Sequence, residues 1–380
     1  MMRVLGFIGS LSIASTAFSQ AILPTLFAGN NVGDNITSFR VNPDGSLTTI
    51  GSFAAGDGPQ TISLSPDGKW LAVGHGTASV TTEELRIFQV NADGTLTPRL
   101  TTLVPDSPLD VLWTSNSNLC VTKTGSPSNV QSFIWDPGAN TLTSVDTEPT
   151  GSFNSFLLSD GSHLWANDST GSTIRAFSVA PNGLLALVEA QPTNPYFAVA
   201  LGLTRDNRFM YGAGGISGDG NRILGYRVNP DGSLDPTSPT DFTSPGESPK
   251  NFAFSENGLY AFVGHGTDAT IQTFTINSVT GELTATGASY DVGLQGTLGE
   301  IVVMGNMLYA CDNSTAIDGR AGVIALRING DGSLTELNLF PSGGARTDYL
   351  AAWPGIPEPG TALPLAALLG IAARRLRGAR

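Results

Sequence analysis

Along most of the chain, apolar and polar residues alternate in short runs that break at Gly, Asp and Asn. That period of two belongs to half-buried strands and not to helices. One unit is plain at Phe39-Arg40-Val41-Asn42-Pro43-Asp44-Gly45-Ser46-Leu47, where an alternation runs into a tight turn and a leucine. It returns six times, with turns at Asn91-Ala92-Asp93-Gly94, Asp136-Pro137-Gly138-Ala139-Asn140, Pro181-Asn182-Gly183, Asn229-Pro230-Asp231-Gly232, Asn277-Ser278-Val279-Thr280-Gly281 and Asn329-Gly330-Asp331-Gly332. Asp-Gly and Asn-Gly supply the positive φ that hairpin turns need. Successive turns stand roughly 45 to 52 residues apart, near the period of a four-stranded propeller blade. A second hairpin lies between each pair: residues 62–73, 156–166, 203–211, 252–263 and 301–311 are clear copies, and 111–121 is a degraded one. Two hairpins per period give four strands per blade. The first copy begins midway, at residues 25–28, and the last is followed by an unpaired strand-like segment, 347–352. The pattern predicts an all-β, seven-bladed β-propeller whose C-terminal strand completes the N-terminal blade, closing the ring and removing a sheet edge.

Composition agrees and narrows the partners. Forty-six Gly and 23 Pro in 380 residues make a turn-rich chain, and 40% hydrophobic residues supply a core, so disorder and a small disulfide scaffold are both excluded. The two cysteines, Cys120 and Cys311, fall on second strands of the third and seventh blades, too far apart to bridge, and are expected as buried free thiols. The formal net charge is -13. Residues 20–355 alone carry 14 Lys and Arg against 31 Asp and Glu. So acidic a body repels phosphate backbones, and no nucleic-acid partner is expected.

The two ends read as addresses. Residues 1–19 join one cation, Arg3, to an apolar stretch ending in Ala17-Phe18-Ser19, the pattern of a cleaved secretory signal. The propeller is then expected over 20–355. Residues 356–380 run Pro357-Glu358-Pro359, an apolar segment, then Arg374-Arg375-Leu376-Arg377 and a final Arg380. The apolar run is short for a transmembrane helix, but flanking arginines can snorkel, and a transient anchor is expected. The order of these elements resembles the PEP-CTERM sorting signal. That resemblance implies exosortase-type machinery as a partner, and a protein exported across the inner membrane of a Gram-negative bacterium to the cell envelope or surface.

The inner turn Ser65-Pro66-Asp67-Gly68, the strand Leu71-Ala72-Val73 after it, and the outer Val41-Asn42-Pro43-Asp44-Gly45-Ser46-Leu47 hairpin together resemble the seven-bladed lactonase family, whose namesake is phosphogluconolactonase. The resemblance covers nearly the whole of 20–355. It implies a site at the channel mouth, where a Pro-Arg-His segment at the start of an innermost strand brings Arg and His together. The matching segment here is Pro249-Lys250-Asn251: the charge is kept, the bidentate geometry is not, and asparagine cannot act as a base. Any catalysis would need a new arrangement of Lys250, Asp110, Asp348, His75 or His265. Aligning the second strands places Asn30, His75, Lys123, Asp168, Gly214, His265 and Asn313 at equivalent ends. With Asn251, the polar members of that ring are the candidate ligand-binding residues, and the alternative is that they satisfy the loops around them. No cofactor is expected; Ca²⁺ would suit Asp/Asn-rich loops, but no Ca²⁺-loop spacing is present. No two of the three histidines stand at metal-ligand spacing. The leading expectation is a binding or structural module at the cell surface, for a glycan or a matrix protein. The alternative is a lactone or ester hydrolase with a rearranged site. An enzyme should gather titratable groups at the channel mouth; a scaffold should pack it with neutral ones.

Overall fold

The computed structural model describes residues 23–76, 82–105, 108–123, 127–193, 198–214, 220–293, 298–312, 321–344 and 346–355. The expected export and sorting segments, 1–19 and 356–380, therefore lie outside the described residues. What is described forms seven sheets, each of four antiparallel strands. It is the seven-bladed propeller that the alternation predicts. The innermost strands of blades 2 to 7 are Pro59–Leu64, Val111–Trp113, Leu157–Ser159, Ala198–Leu203, Pro249–Phe254 and Leu298–Met304. In blade 1 that place is taken by the C-terminal Thr347–Trp353, which pairs antiparallel with Thr25–Asn30. Ring closure is thus made from both ends of the propeller, and no blade is left with an extra open edge.

Two local devices build the blades, the first in four of them and the second in all seven. The outer turn is a side-chain network: Asn42 Nδ2 donates to Ser46 Oγ at 3.0 Å and to Thr48 Oγ1 at 3.0 Å, while Asp44 Oδ1 accepts the Ser46 amide at 2.9 Å. Asn91-Asp93-Thr95, Asn229-Asp231-Ser233 and Asn329-Asp331-Ser333 repeat it. Gly45, at φ 88°, cannot be replaced cheaply, because a Cβ there would also stand 2.5 Å from the Met307 sulfur. The second device is a register shift between the third and fourth strands, found in every blade, as at Ser38/Phe39 and Ile87/Phe88. Such bulges add twist, which a propeller blade needs to pack face to face on its neighbours.

The core lies between blades. Phe27 and Ile36 of blade 1 pack with Ile62, Leu71, Val73 and Phe88 of blade 2, and similar clusters fill the other interfaces. Cys120 and Cys311 are buried in two of these clusters and are free. Polar latches add register to the apolar contact. The turn carbonyl of Gly45 accepts the Tyr309 hydroxyl at 3.0 Å, that of Gly232 the Trp165 indole at 2.8 Å, and that of Gly281 the Tyr211 hydroxyl at 2.8 Å. Each joins an outer hairpin to the second strand of a neighbouring blade. Replacing Tyr309 by Phe should remove about 1 kcal/mol of stability, read as a lower urea midpoint at unchanged slope.

Candidate functional site

An inner strand faces the channel as a sheet edge, so its amides need partners from somewhere other than its own sheet. The neighbouring blade supplies them. Thr61 Oγ1 accepts the Val111 amide at 3.3 Å and Ser63 Oγ the Trp113 amide at 3.1 Å. Farther round the ring the acceptors are carboxylates: Asp110 Oδ2 accepts the Leu157 amide at 2.8 Å, and Glu300 Oε2 accepts the Leu350 amide at 2.9 Å. Asp110 Oδ1 also accepts the Thr61 hydroxyl at 2.8 Å. Asn251 donates instead, to the Gly299 carbonyl at 2.5 Å.

Thr61, Ser63, Asp110, Asn251 and Glu300 line a cavity of about 440 Å³ in the channel, together with Lys250, Asp348, Arg346, Tyr349, Ser155 and the apolar Ile62, Leu112, Phe156 and Val199. Bulges aim several of them inward. The register shifts between Ala198 and Ala200, Pro249 and Asn251, Leu298 and Ile301, and where Thr347 and Tyr349 meet Asn30 and Gly29. The extra residues are Val199, Lys250 and Asp348, and in blade 7 Gly299 and Glu300 together oppose Cys311. A bulge re-aims one side chain without breaking the sheet, and in four blades it turns a strand head toward the channel.

The charges are arranged unevenly. Arg346 Nε pairs with Asp348 Oδ2 at 3.1 Å, with half of the arginine side chain exposed and Asp348 nearly buried. Burial, above all, pushes the Asp110 carboxyl up to about 7, against the hydrogen bonds from Leu157, Thr61 and Val111. Burial likewise pushes Glu300 up to about 8, and the charge of Asp110 adds to the rise. Both side chains keep some exposure, and it is onto the cavity that they line. Burial lowers the Lys250 ammonium, against the attraction of Asp348 and Cys311. The cavity therefore holds two carboxyls raised by burial toward neutrality, beside the side chains of Lys250 and Arg346.

A stability signature follows. The fold keeps a proton on Asp110 and Glu300 that the unfolded chain releases near pH 4, so between about pH 4 and 8 the native state binds more protons and these two groups lower stability as pH rises. Replacing them by Asn and Gln removes that slope. The double variant should gain in Tm relative to the parent as pH goes from 5 to 8.5, measured by calorimetry at both ends.

Of the residues that the sequence singles out, Lys250, Asn251, Asp110 and Asp348 meet in this cavity. The strand-end residues sit elsewhere, at junctions between blades. Asn30 donates to Asn35 at 2.7 Å and to Thr37 at 3.0 Å, and accepts the Thr347 hydroxyl at 2.9 Å. His75 lies between the carbonyls of Ala55 and Glu84, at 2.6 and 2.9 Å. Asp168 accepts the amides of Ser152, Phe153 and Gly171 at 2.8 to 3.1 Å. His265 meets Ser244 Oγ at 2.6 Å and the Thr270 carbonyl at 3.3 Å, and burial lowers its pKa. Lys123 ends the second strand of blade 3 and is not among the residues lining the cavity. Asn313 lies outside the described residues. Sequence reasoning missed Glu300 and Tyr349. The available signal was a carboxylate inside the apolar run Leu298-Gly299-Glu300-Ile301. Among the described residues no three His, Cys, Asp or Glu side chains gather as a metal site, and no helix is long and apolar enough to cross a membrane.

No curated protein matches the chain. Solved structures with this architecture include a protein from Bacteroides uniformis provisionally assigned as a 6-phosphogluconolactonase, 15% identical with a TM-score of 0.71, the match covering 88% of this chain and 100% of that one. A protein from Bacteroides fragilis with the same provisional assignment is 17% identical at a TM-score of 0.71, over 90% and 100% of the two chains. The periplasmic gluconolactonase of Pseudomonas aeruginosa is 16% identical at 0.52, over 85% and 84%. Likenesses at such identities carry the fold alone. The profile of the lactonase family of seven-bladed β-propellers matches residues 23–113 and 196–298, half of the chain, and the chain belongs to that family.

Proposed function

We propose that the protein hydrolyses a small lactone or related ester in the channel cavity. The observation that carries this reading is the convergence of Asp110, Glu300, Lys250, Asp348 and Arg346 on one cavity, with the Asp110 and Glu300 carboxyls raised toward neutrality. A surface binding module would be expected to pack the channel mouth with neutral groups, so the hydrolase is favoured over it. Lactone opening needs a base to take a proton from water, a positive group for the carbonyl oxygen as it becomes an oxyanion, and an acid for the departing alkoxide. Asp110 and Glu300, each raised toward neutrality, supply base and acid; the Lys250 ammonium supplies the positive group. Arg346, held by Asp348, adds positive charge at the cavity and steadies its partner. Membership of the lactonase family supports the reaction class, and the departure at Lys250-Asn251 means that the chemistry rests on carboxylates and not on a histidine.

Residues 1–19 and 356–380 add a place for the reaction: export, then sorting at the cell envelope by exosortase-type machinery. Phosphogluconolactone is a cytoplasmic intermediate, so an exported member would act on a different lactone.

The test is a panel of sugar and aliphatic lactones followed by pH-stat with the purified protein, with and without EDTA. Turnover above the buffer rate is expected, and Lys250→Met should lower kcat/KM about 100-fold by removing the oxyanion partner. Absence of turnover on every lactone, or turnover unchanged in Lys250→Met, overturns the reading.

A further inference from the structure

We propose that Lys250 is also a carbonyl-capturing amine: the cavity admits a small aldehyde or ketone, which the Lys250 Nζ binds as a reversible imine. This goes beyond ester hydrolysis and does not depend on it.

The side chain is held for the purpose by its backbone and by a glycine. Ser248 adopts φ 58° and its carbonyl accepts the Gly266 amide at 2.8 Å, which sets the chain just before the bulge that turns Lys250 inward. The lysine stem lies along Gly266: a Cβ there would come within 3.1 Å of Cδ and 3.6 Å of Cε. With the stem seated on protein, the amine is presented to the cavity that Asp110, Glu300, Asp348 and Arg346 share.

What surrounds the amine sets its reactivity. Among the described residues no carboxylate ion-pairs with it, and Asp348, which attracts it, is bound to Arg346 Nε at 3.1 Å. Asp348 and Cys311 favour its charged form, burial and Arg346 disfavour it, and burial prevails. A desolvated lysine beside a second cation gives up its proton more readily than a solvated one, which makes the amine the more reactive of the lysines. Two groups that keep a proton in the same range, Asp110 and Glu300, complete what imine formation requires.

The step balances without oxidant or reductant. Neutral Nζ adds to the carbonyl carbon, a C–N bond forms, and the carbonyl π pair moves to oxygen. That oxygen takes up two protons and leaves as water. The nitrogen gives up its two protons and forms the C=N bond, so one amine and one carbonyl become one imine and one water, with the carboxyls relaying the protons.

The chain has three lysines, Lys69, Lys123 and Lys250, which makes the test clean. The full protein is incubated with glyceraldehyde and sodium cyanoborohydride at pH 7, and reduced adducts are mapped by mass spectrometry. Lys250 should label at least about ten times faster than Lys69, whose side chain is 58% exposed. In Lys250→Arg that label should vanish while labelling of Lys69 is unchanged. The advantage should shrink above about pH 10, where an ordinary lysine also becomes neutral. Labelling at Lys250 no faster than at Lys69 in the folded parent overturns the proposal, whether or not any variant folds. Labelling without lactone turnover would retain imine capture and remove the hydrolase, and turnover without labelling would do the reverse.

Discussion

Replacing Glu300 by Gln, or Asp110 by Asn, should lower kcat/KM on a hydrolysed lactone by about 100- to 10,000-fold, the range of a lost general acid or base. Both changes are close to isosteric. The glutamine put in place of Glu300 would still offer an oxygen to the Leu350 amide, and the asparagine in place of Asp110 would offer one to the Leu157 amide. The Leu350 and Leu157 amides thus keep their acceptors, and only the Thr61 hydroxyl loses the second Asp110 oxygen. A loss of activity with intact folding then reports on proton transfer. The parent rate should climb with pH through the region of 7 to 8, where one member of the pair becomes ionised, and bend over as the second follows. In either single variant the limb belonging to the missing group should disappear. A pH profile that keeps both limbs in both variants would remove the carboxylate pair from the mechanism, whatever happened to the rate.

The second large effect is on the ring. A chain ending at Pro341 loses the closing strand Thr347–Trp353 and should not give a cooperatively unfolding protein. That strand pairs with Thr25–Asn30 along six positions, and it carries buried Leu350 and Ala351 with Tyr349 and Trp353 packed beside them. Its removal uncovers Leu26, Phe27 and Ala28, all without exposure in the closed ring. Each large apolar side chain returned to water costs about 1.5 to 3 kcal/mol, and a whole domain is stable by only about 5 to 15 kcal/mol. Several such losses, together with an open edge in blade 1, exceed what the fold can spare. Urea unfolding and limited proteolysis would show it: a broad, sloping transition and cleavage within blade 1 are expected. A sharp transition near the parent midpoint would mean that the propeller tolerates an open blade.

The architecture was legible because its causes are local. Asn42, Asp44, Gly45 and Ser46 make their turn within a few residues of one another, and alternation on either side fixes which face is buried. Even the closure of the ring could be read, since a repeat that starts midway and ends one strand too late has one economical solution. The half of the candidate site at the heads of inner strands was also within reach: Lys250-Asn251, Asp110 and Asp348, all singled out from the sequence, line one cavity.

What the chain order could not give was the meaning of the polar strand ends and the identity of Glu300. Asn30, His75, Asp168 and His265 form a ring of equivalent positions, and a repeated polar residue looks the same whether it faces a ligand or a neighbouring loop. Some of their partners, Ala55 for His75 and Ser244 for His265, follow the last strand of the preceding blade, and only the packed ring brings them to 2.6 Å. Glu300 was hidden by a bulge: one extra residue opposite Cys311 breaks the two-residue period by which inward and outward positions are read. Sequence alone therefore determined the blades, their number and their closure, because hydrophobic period and turn chemistry act over a few residues. Tertiary structure alone decided which charges meet, because Asp110, Lys250, Glu300 and Asp348 come from four blades and share a cavity only when the ring is complete.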